Sequence, residues 1–324
     1  MDNLALRPAN VFDRSPAQDL RRAPFELPAV RSIAPRSNRS SLGSGDLAGF
    51  HRTATFMKLS RALTALFLAS AASSGMAADW RYSLGVHDFT VPDVNSQTWG
   101  LNGGVSVDKR YDNGMHTFGS FDLFWDHDKD HLDSDHIPIW WQLHLGADGD
   151  FWRGNGLRMG WTANFDTRMN TVSSIERQMT ALPALVFGYG TPTFQASLEA
   201  GAGWFFLEID DDAPREQGYP RDNLRNSTFA YAATARASLK LGESWAVSGF
   251  ARGWRDSHDT LETQYQAAVR MDASSWMGGS SMTQPALVFS ADYYRYNLDV
   301  YNNPPPIPRW NNDLMFRLAF ESKW

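Results

Sequence analysis

The last eleven residues, 314–324, alternate strictly between two faces. Leu314, Phe316, Leu318, Phe320, Ser322 and Trp324 fall on one side; Met315, Arg317, Ala319, Glu321 and Lys323 fall on the other. A strand sends successive side chains to opposite faces, so this segment has one largely apolar and one charged face. A helical face recurs every 3.6 residues and cannot produce that separation. The length matches a strand crossing a bilayer at a tilt, about 9–11 residues.

The same period of two returns in eleven earlier segments, making twelve. Trp80, Tyr82, Leu84 and Val86 oppose Arg81, Ser83, Gly85 and His87. Trp99, Leu101, Gly103, Val105 and Val107 oppose Asn102, Ser106 and Asp108. The others run over 115–125, 137–145, 157–167, 179–189, 194–206, 229–241, 245–254, 265–271 and 287–296. The sixth contains Pro183, and Ala and Gln dilute the tenth.

Connections fit an up-and-down order. Asp112-Asn113-Gly114, Gly190-Thr191-Pro192 and Leu241-Gly242-Glu243 are tight turns by their residue chemistry. Longer polar links fall at 127–136, 210–226, 255–262 and 302–313, while the fourth-to-fifth and tenth-to-eleventh links are of intermediate length. Short turns at the periplasmic end and long loops outside are the habit of bacterial membrane barrels, and an even count returns both termini to the periplasm. A soluble β-sandwich would alternate too. Its strands, however, usually span about five or six residues, roughly half the length seen here.

Composition supports the membrane reading. All thirteen Trp and all ten Tyr lie at or after Trp80, as interfacial aromatic girdles require. The longest nearly apolar run, 62–72, is far short of the roughly 20 residues of a spanning helix. There is no cysteine, which excludes disulfides, thiolate catalysis and Cys-based metal sites, and suits passage through an oxidising periplasm. Residues 1–77 hold ten Lys/Arg and five Asp/Glu, whereas the rest hold twenty and thirty-one. So acidic a body argues against nucleic acid as a partner.

Residues 57–77 read as a signal peptide. Lys58 and Arg61 form the basic start, 62–72 the apolar stretch, and Gly75-Met76-Ala77 the small residues before a cut at Ala77 or Ala78. Residues 1–56, rich in Arg, Pro, Ser and Ala, are expected to be an over-extended start or a disordered extension. The barrel itself then occupies 78–324.

On the features of 57–77 and 314–324, the chain resembles the outer-membrane β-barrel superfamily of Gram-negative bacteria. That resemblance implies an all-β, closed antiparallel transmembrane barrel of about twelve strands in the outer membrane. It also implies lipid and lipopolysaccharide as surroundings, and recognition of the strand ending at Trp324 by the barrel-assembly machinery.

Strand parity places Arg81, Asp122, His144, Arg158, Asp166, Arg168, Glu199, Arg236, Arg252, Arg270, Asp292, Arg317 and Glu321 in the lumen, together with His87, Asn102, Gln142 and Asn164. Arginine outnumbers carboxylate in that set. Two arrangements are open: a hydrated passage favouring small polar or anionic solutes, or a salt-bridged plug. In the loop 127–136, Asp128, Asp130, Asp133 and Asp135 alternate with His, which suggests a divalent cation. The spacing fits no calcium loop, however, and a solvated acidic loop is the expectation.

Chemistry on lipid A or phospholipid at the outer rim would need a nucleophile and a base within hydrogen-bond reach. The candidates are His87, His136, and Ser257 with His258, although adjacent residues are not expected to aim at one another. No Gly-rich phosphate loop stands out, since 100–104 lies inside a strand. No cofactor is expected. A monomeric narrow channel is the leading expectation; a rim enzyme and a structural or surface-interaction barrel are its alternatives.

Overall fold

The computed structural model describes residues 78–92, 96–127, 138–169, 175–209, 224–277, 283–298 and 311–323. The leader, His136, the Asp128–Asp135 candidates and Trp324 lie outside the described residues.

Twelve antiparallel strands close into one barrel. They are β1 (Asp79–Val91), β2 (Ser96–Arg110), β3 (His116–Asp126) and β4 (Ile139–Gly154); β5 (Leu157–Met169), β6 (Ile175–Gly190), β7 (Phe194–Ile209) and β8 (Arg225–Leu241); and β9 (Trp245–Arg255), β10 (Thr260–Asp272), β11 (Ala286–Tyr296) and β12 (Asn312–Lys323). Each strand pairs with its sequence neighbours, and β1 closes on β12 from Arg81↔Lys323 to Thr90↔Leu314. Closure leaves no unpaired strand edge, a requirement for backbone inside a bilayer. Lys323 Nζ meets Asp79 Oδ1 at 2.7 Å, so the two ends of the barrel wall are tied together.

The wall is apolar outside. Leu84 is 67% exposed and Phe229 64%, and Trp99, Trp125, Phe187, Leu198, Tyr231 and Leu318 face outward beside them. In water such a surface would far exceed the apolar patch a soluble protein tolerates. In a bilayer it is the required solvent-facing side, so the chain is a transmembrane barrel of the outer-membrane type. Among the described residues no helix is long and apolar enough to cross a membrane. One helical turn, α1 (Ser274–Met277), sits in the link from β10 to β11.

Several strands run further than their alternation reveals. β4 continues to Gly154 through Gly146-Ala147-Asp148-Gly149-Asp150, where glycine and aspartate erase the apolar beat. The link to β5, expected to be of intermediate length, is therefore the two-residue turn Asn155-Gly156. Its φ angles of 52° and 79° are those of a primed hairpin turn, which explains the Asn-Gly pair. β10 likewise begins at Thr260 and β12 at Asn312, shortening two expected loops. β6 passes straight through Pro183, which pairs with Ala163 of β5.

Inside, the end remote from the termini is packed solid. Phe89, Val91, Phe124, Trp140 and Met315 form one buried cluster. Leu182, Phe205, Leu207, Trp254, Leu261 and Tyr296 belong to a second.

Candidate functional site: the lumen

Of the seventeen side chains assigned to the lumen by parity, all but His87 border interior cavities. Two large cavities, of about 650 and 700 Å³, lie at the periplasmic end among the turns. Smaller ones of about 260 to 300 Å³ lead inward. Neighbouring cavities share lining residues: Arg236 borders three of them, and Gln266 and Arg317 border two of the inner ones. The innermost reaches Arg168, Gln178 and Tyr294. Beyond it lie the buried aromatic clusters.

The ceiling of that cavity combines bonds across the lumen, between strands that do not touch, with bonds between neighbouring strands. Arg252 on β9 donates to Asp166 Oδ2 on β5 at 2.7 Å. His144 Nδ1 contacts the other oxygen of Asp166. Arg252 also donates to Gln264 Oε1 at 2.7 Å, and Gln264 Nε2 donates to the Tyr294 hydroxyl at 2.6 Å. Gln178 on β6 donates to Glu262 on β10. Arg168 on β5 donates to the Tyr296 hydroxyl at 2.9 Å and to Asp313 on β12 at 3.3 Å. Its guanidinium lies over the rings of Tyr294, Trp140 and Phe89 at 4.7, 5.3 and 5.6 Å. Lower down, Arg317 on β12 reaches Asp292 at 3.3 Å and Asp122 on β3 at 3.8 Å.

Of the two arrangements left open by the sequence, these residues adopt pairing. Arg236 with Glu199 at 2.7 Å, and Arg270 with Glu321, continue it towards the periplasm. Five inward carboxylates escaped the sequence assignment: Asp126, Asp148, Asp150, Glu262 and Asp313. All lie where strands extend past their recognisable alternation. With them, ten inward carboxylates face the seven arginines of that set, and Arg110 and Arg153 join the arginines at the periplasmic mouth. The lumen as a whole is therefore not a basic tube, and many of its charges are paired.

His87 occupies a sealed corner of the outer half. Its Nε2 meets Asp126 Oδ1 at 2.5 Å, and Trp140 Nε1 donates to Asp126 Oδ2 at 2.7 Å. Gly100 lies between them on β2, paired with His87 on one side and Asp126 on the other. A Cβ there would come within 2.7 Å of His87 Cε1 and 2.1 Å of the Trp125 carbonyl, so only glycine lets the imidazole cross β2. Both side chains of the His87–Asp126 pair are inaccessible, which removes His87 as a base for lipid chemistry at the rim.

Ser257 and His258 are exposed in the β9–β10 loop, and Ser257 Oγ lies 2.7 Å from His258 Nδ1. The expectation that these neighbours would not meet is thus corrected, because the loop turns sharply between them. The cause is Asp256, whose Oδ1 accepts the backbone N–H groups of His258 at 2.8 Å and Asp259 at 2.7 Å. These two donations hold its carboxyl below the usual carboxylate range. Asp256 therefore shapes the turn and does not orient the imidazole, as the third member of a hydrolytic triad would.

No family model matches the chain, and no curated protein does. Among solved structures it is similar to the COG4313 outer membrane channel from Pseudomonas putida F1, with 11% identity and a TM-score of 0.46 over 78% of this chain and 97% of that one. The KdgM porin in complex with disordered oligogalacturonate aligns at 8% identity and a TM-score of 0.39 over 76% and 99%. Outer membrane phospholipase A from Escherichia coli aligns at 8% identity and a TM-score of 0.37 over 76% and 89%. Channels and a phospholipase thus appear side by side, and the likeness ends at barrel architecture.

Proposed function

We propose that the chain is a narrow outer-membrane channel for a small polar solute, held closed by the paired and aromatic layer in its outer half. The course of the cavities carries this reading. Among the described residues they run from the periplasmic mouth to Arg168, Gln178 and Tyr294, where the packed side chains of the outer half begin. Taking an ion from water into a protein interior costs several kcal/mol, and apolar replacements of buried pairs are often neutral or stabilising. Charged side chains, in contrast, can exchange one partner for another, so a solute with its own polar groups is able to open Arg252–Asp166 by replacing one of its members. The monomer stands in outer-membrane lipid and lipopolysaccharide through its aromatic exterior, and its last strand is the element presented to the assembly machinery.

Lipid chemistry has less support, since His87 is sealed and Asp256 Oδ1 is taken up by two backbone N–H groups of the turn.

Planar-bilayer recording tests the channel. Wild-type protein is expected to remain mostly closed, and Arg168→Ala combined with Asp313→Ala is expected to add steady conductance. If that variant and Trp140→Ala with Trp254→Ala both migrate as folded barrels and still pass no current at any voltage, the molecule is a filled structural barrel.

A further inference from the structure

We infer that the periplasmic half of the lumen contains a binding site for a small multivalent oxyanion, formed by Arg110, Arg153, Arg158 and Arg236. This deepens the channel reading by naming a class of solute, and in that respect rests on it. All four arginines line the cavity of about 650 Å³, and no carboxylate does. That volume lies within the roughly 300–1,000 Å³ of small-molecule sites.

The four converge from separate parts of the wall. Arg110 ends β2, Arg153 and Arg158 flank the Asn155-Gly156 turn, and Arg236 projects from β8. Arg110 has no ion-pair partner among the described residues. Arg153 and Arg158 share the single carboxylate of Asp150, the second at 3.9 Å. Arg236 engages Glu199 through Nε at 2.7 Å and lies 4.9 Å from the centre of the Phe250 ring. Four guanidinium groups thus answer two carboxylates, and both carboxylates lie outside the cavity's lining.

Such a positive excess in a walled recess attracts an anion and concentrates it. The planar fork of arginine matches carboxylate and phosphate oxygens two at a time, which favours an oxyanion over a halide. Ser197 and Ser248 add hydroxyl donors on the same wall. The adjoining cavity shares Arg158 and Arg236 but adds Asp148, Asp150 and Glu199, so an anion is favoured on the side that holds arginines alone. Lining by four arginines and no acid excludes a metal cation as occupant.

The shared chemistry belongs both to a free solute and to the phosphate headgroup of a lipid at the mouth. Calorimetric titration of the purified, folded full-length barrel with citrate and with inorganic pyrophosphate tests the first source. Native mass spectrometry with phosphatidylglycerol against phosphatidylcholine tests the second. Arg110→Gln with Arg236→Gln is expected to weaken binding about tenfold or more for each guanidinium lost. Arg236→Lys should retain part of it, and Arg270→Gln, in the other periplasmic cavity, should leave it unchanged. Dependence on Arg110 and Arg236 supports the site whichever source binds. Failure of all three anions to bind, or binding indifferent to the double variant, overturns it. None of these readouts uses current: binding lost in a protein whose Arg168/Asp313 variant conducts defeats the site alone, and binding in a barrel that never conducts defeats the channel alone.

Discussion

Arg168 on β5 and Asp313 on β12 meet at 3.3 Å across the lumen, from strands that share no backbone hydrogen bond. Both side chains are almost wholly buried. Removing one member of such a pair leaves an uncompensated charge and costs about 3–5 kcal/mol, whereas removing both can be nearly neutral. Arg168→Met is therefore expected to unfold in urea with a stability loss of that order. Adding Asp313→Leu should restore most of it. Equal losses in the single and double variants would show that Arg168 acts through its stacking on Tyr294, Trp140 and Phe89 instead.

Gly100 gives a second stability test, at the crossing of His87 over β2. Gly100→Ala places a methyl group 2.7 Å from His87 Cε1 and 2.1 Å from a backbone oxygen, and backbone cannot yield as a flexible side chain can. Overpacking of this kind costs about 1–3 kcal/mol. Removing the imidazole with His87→Ala in the Gly100→Ala background relieves only the first contact. The double variant should thus stay below His87→Ala in urea stability. Full recovery to the level of His87→Ala would place the whole clash on the ring.

What the sequence disclosed follows from how each feature is encoded. Parity needs only relative position along one strand, so Arg81 through Glu321 were assigned to the lumen without knowledge of any neighbour. Strand ends are encoded weakly. Asp148 and Asp150 sit among glycines, Glu262 at the end of a polar stretch, and Asp313 before the first apolar residue of β12, so each reads as loop. The partners of Arg252 and Arg168 were not legible at all. Arg252–Asp166 and Arg168–Asp313 depend on the summed register of four and five intervening strand pairs, and a slip of two residues in any one leaves the alternation intact while changing contacts across the lumen. The Ser257–His258 contact is hidden from the sequence for a local reason: the bend comes from Asp256 capping two backbone amides, not from glycine or proline.

That cap predicts a pH response outside the membrane. Two backbone N–H groups favour the ionised carboxylate of Asp256, so its folded value lies below the ordinary one near 3.9. A depressed carboxyl stabilises the turn fully above its unfolded value and loses that contribution as pH falls through the folded one. The turn should be intact at neutral and mildly acidic pH. Backbone amide shifts of His258 and Asp259, followed by NMR in micelles, should move together with an inflection on the acid side of the normal range. An inflection above it would contradict the cap. In Asp256→Ala both the inflection and the Ser257–His258 contact should disappear.

The Trp140–Phe124 stack, with ring centroids 3.9 Å apart and both side chains fully buried, is the largest apolar element of the seal on its side of the lumen. Trp254 and Phe205, at 5.6 Å, fill the other side. Trimming a buried Trp to Ala removes its packing and leaves a void, at a cost of about 3–5 kcal/mol. The void beside Trp140 adjoins Arg168, which already borders the innermost cavity. Water entering from the periplasmic side then finds the polar partners Asp126 and His87 beyond it, so the new space should hydrate instead of remaining dry. Trp140→Ala is accordingly expected to raise single-channel conductance, and Trp140→Ala with Trp254→Ala to raise it further. Arg168→Ala/Asp313→Ala opens the same ceiling from its charged side. If the tryptophan variants fold and conduct while that pair variant does not, the seal is apolar and its ion pairs are not the gate.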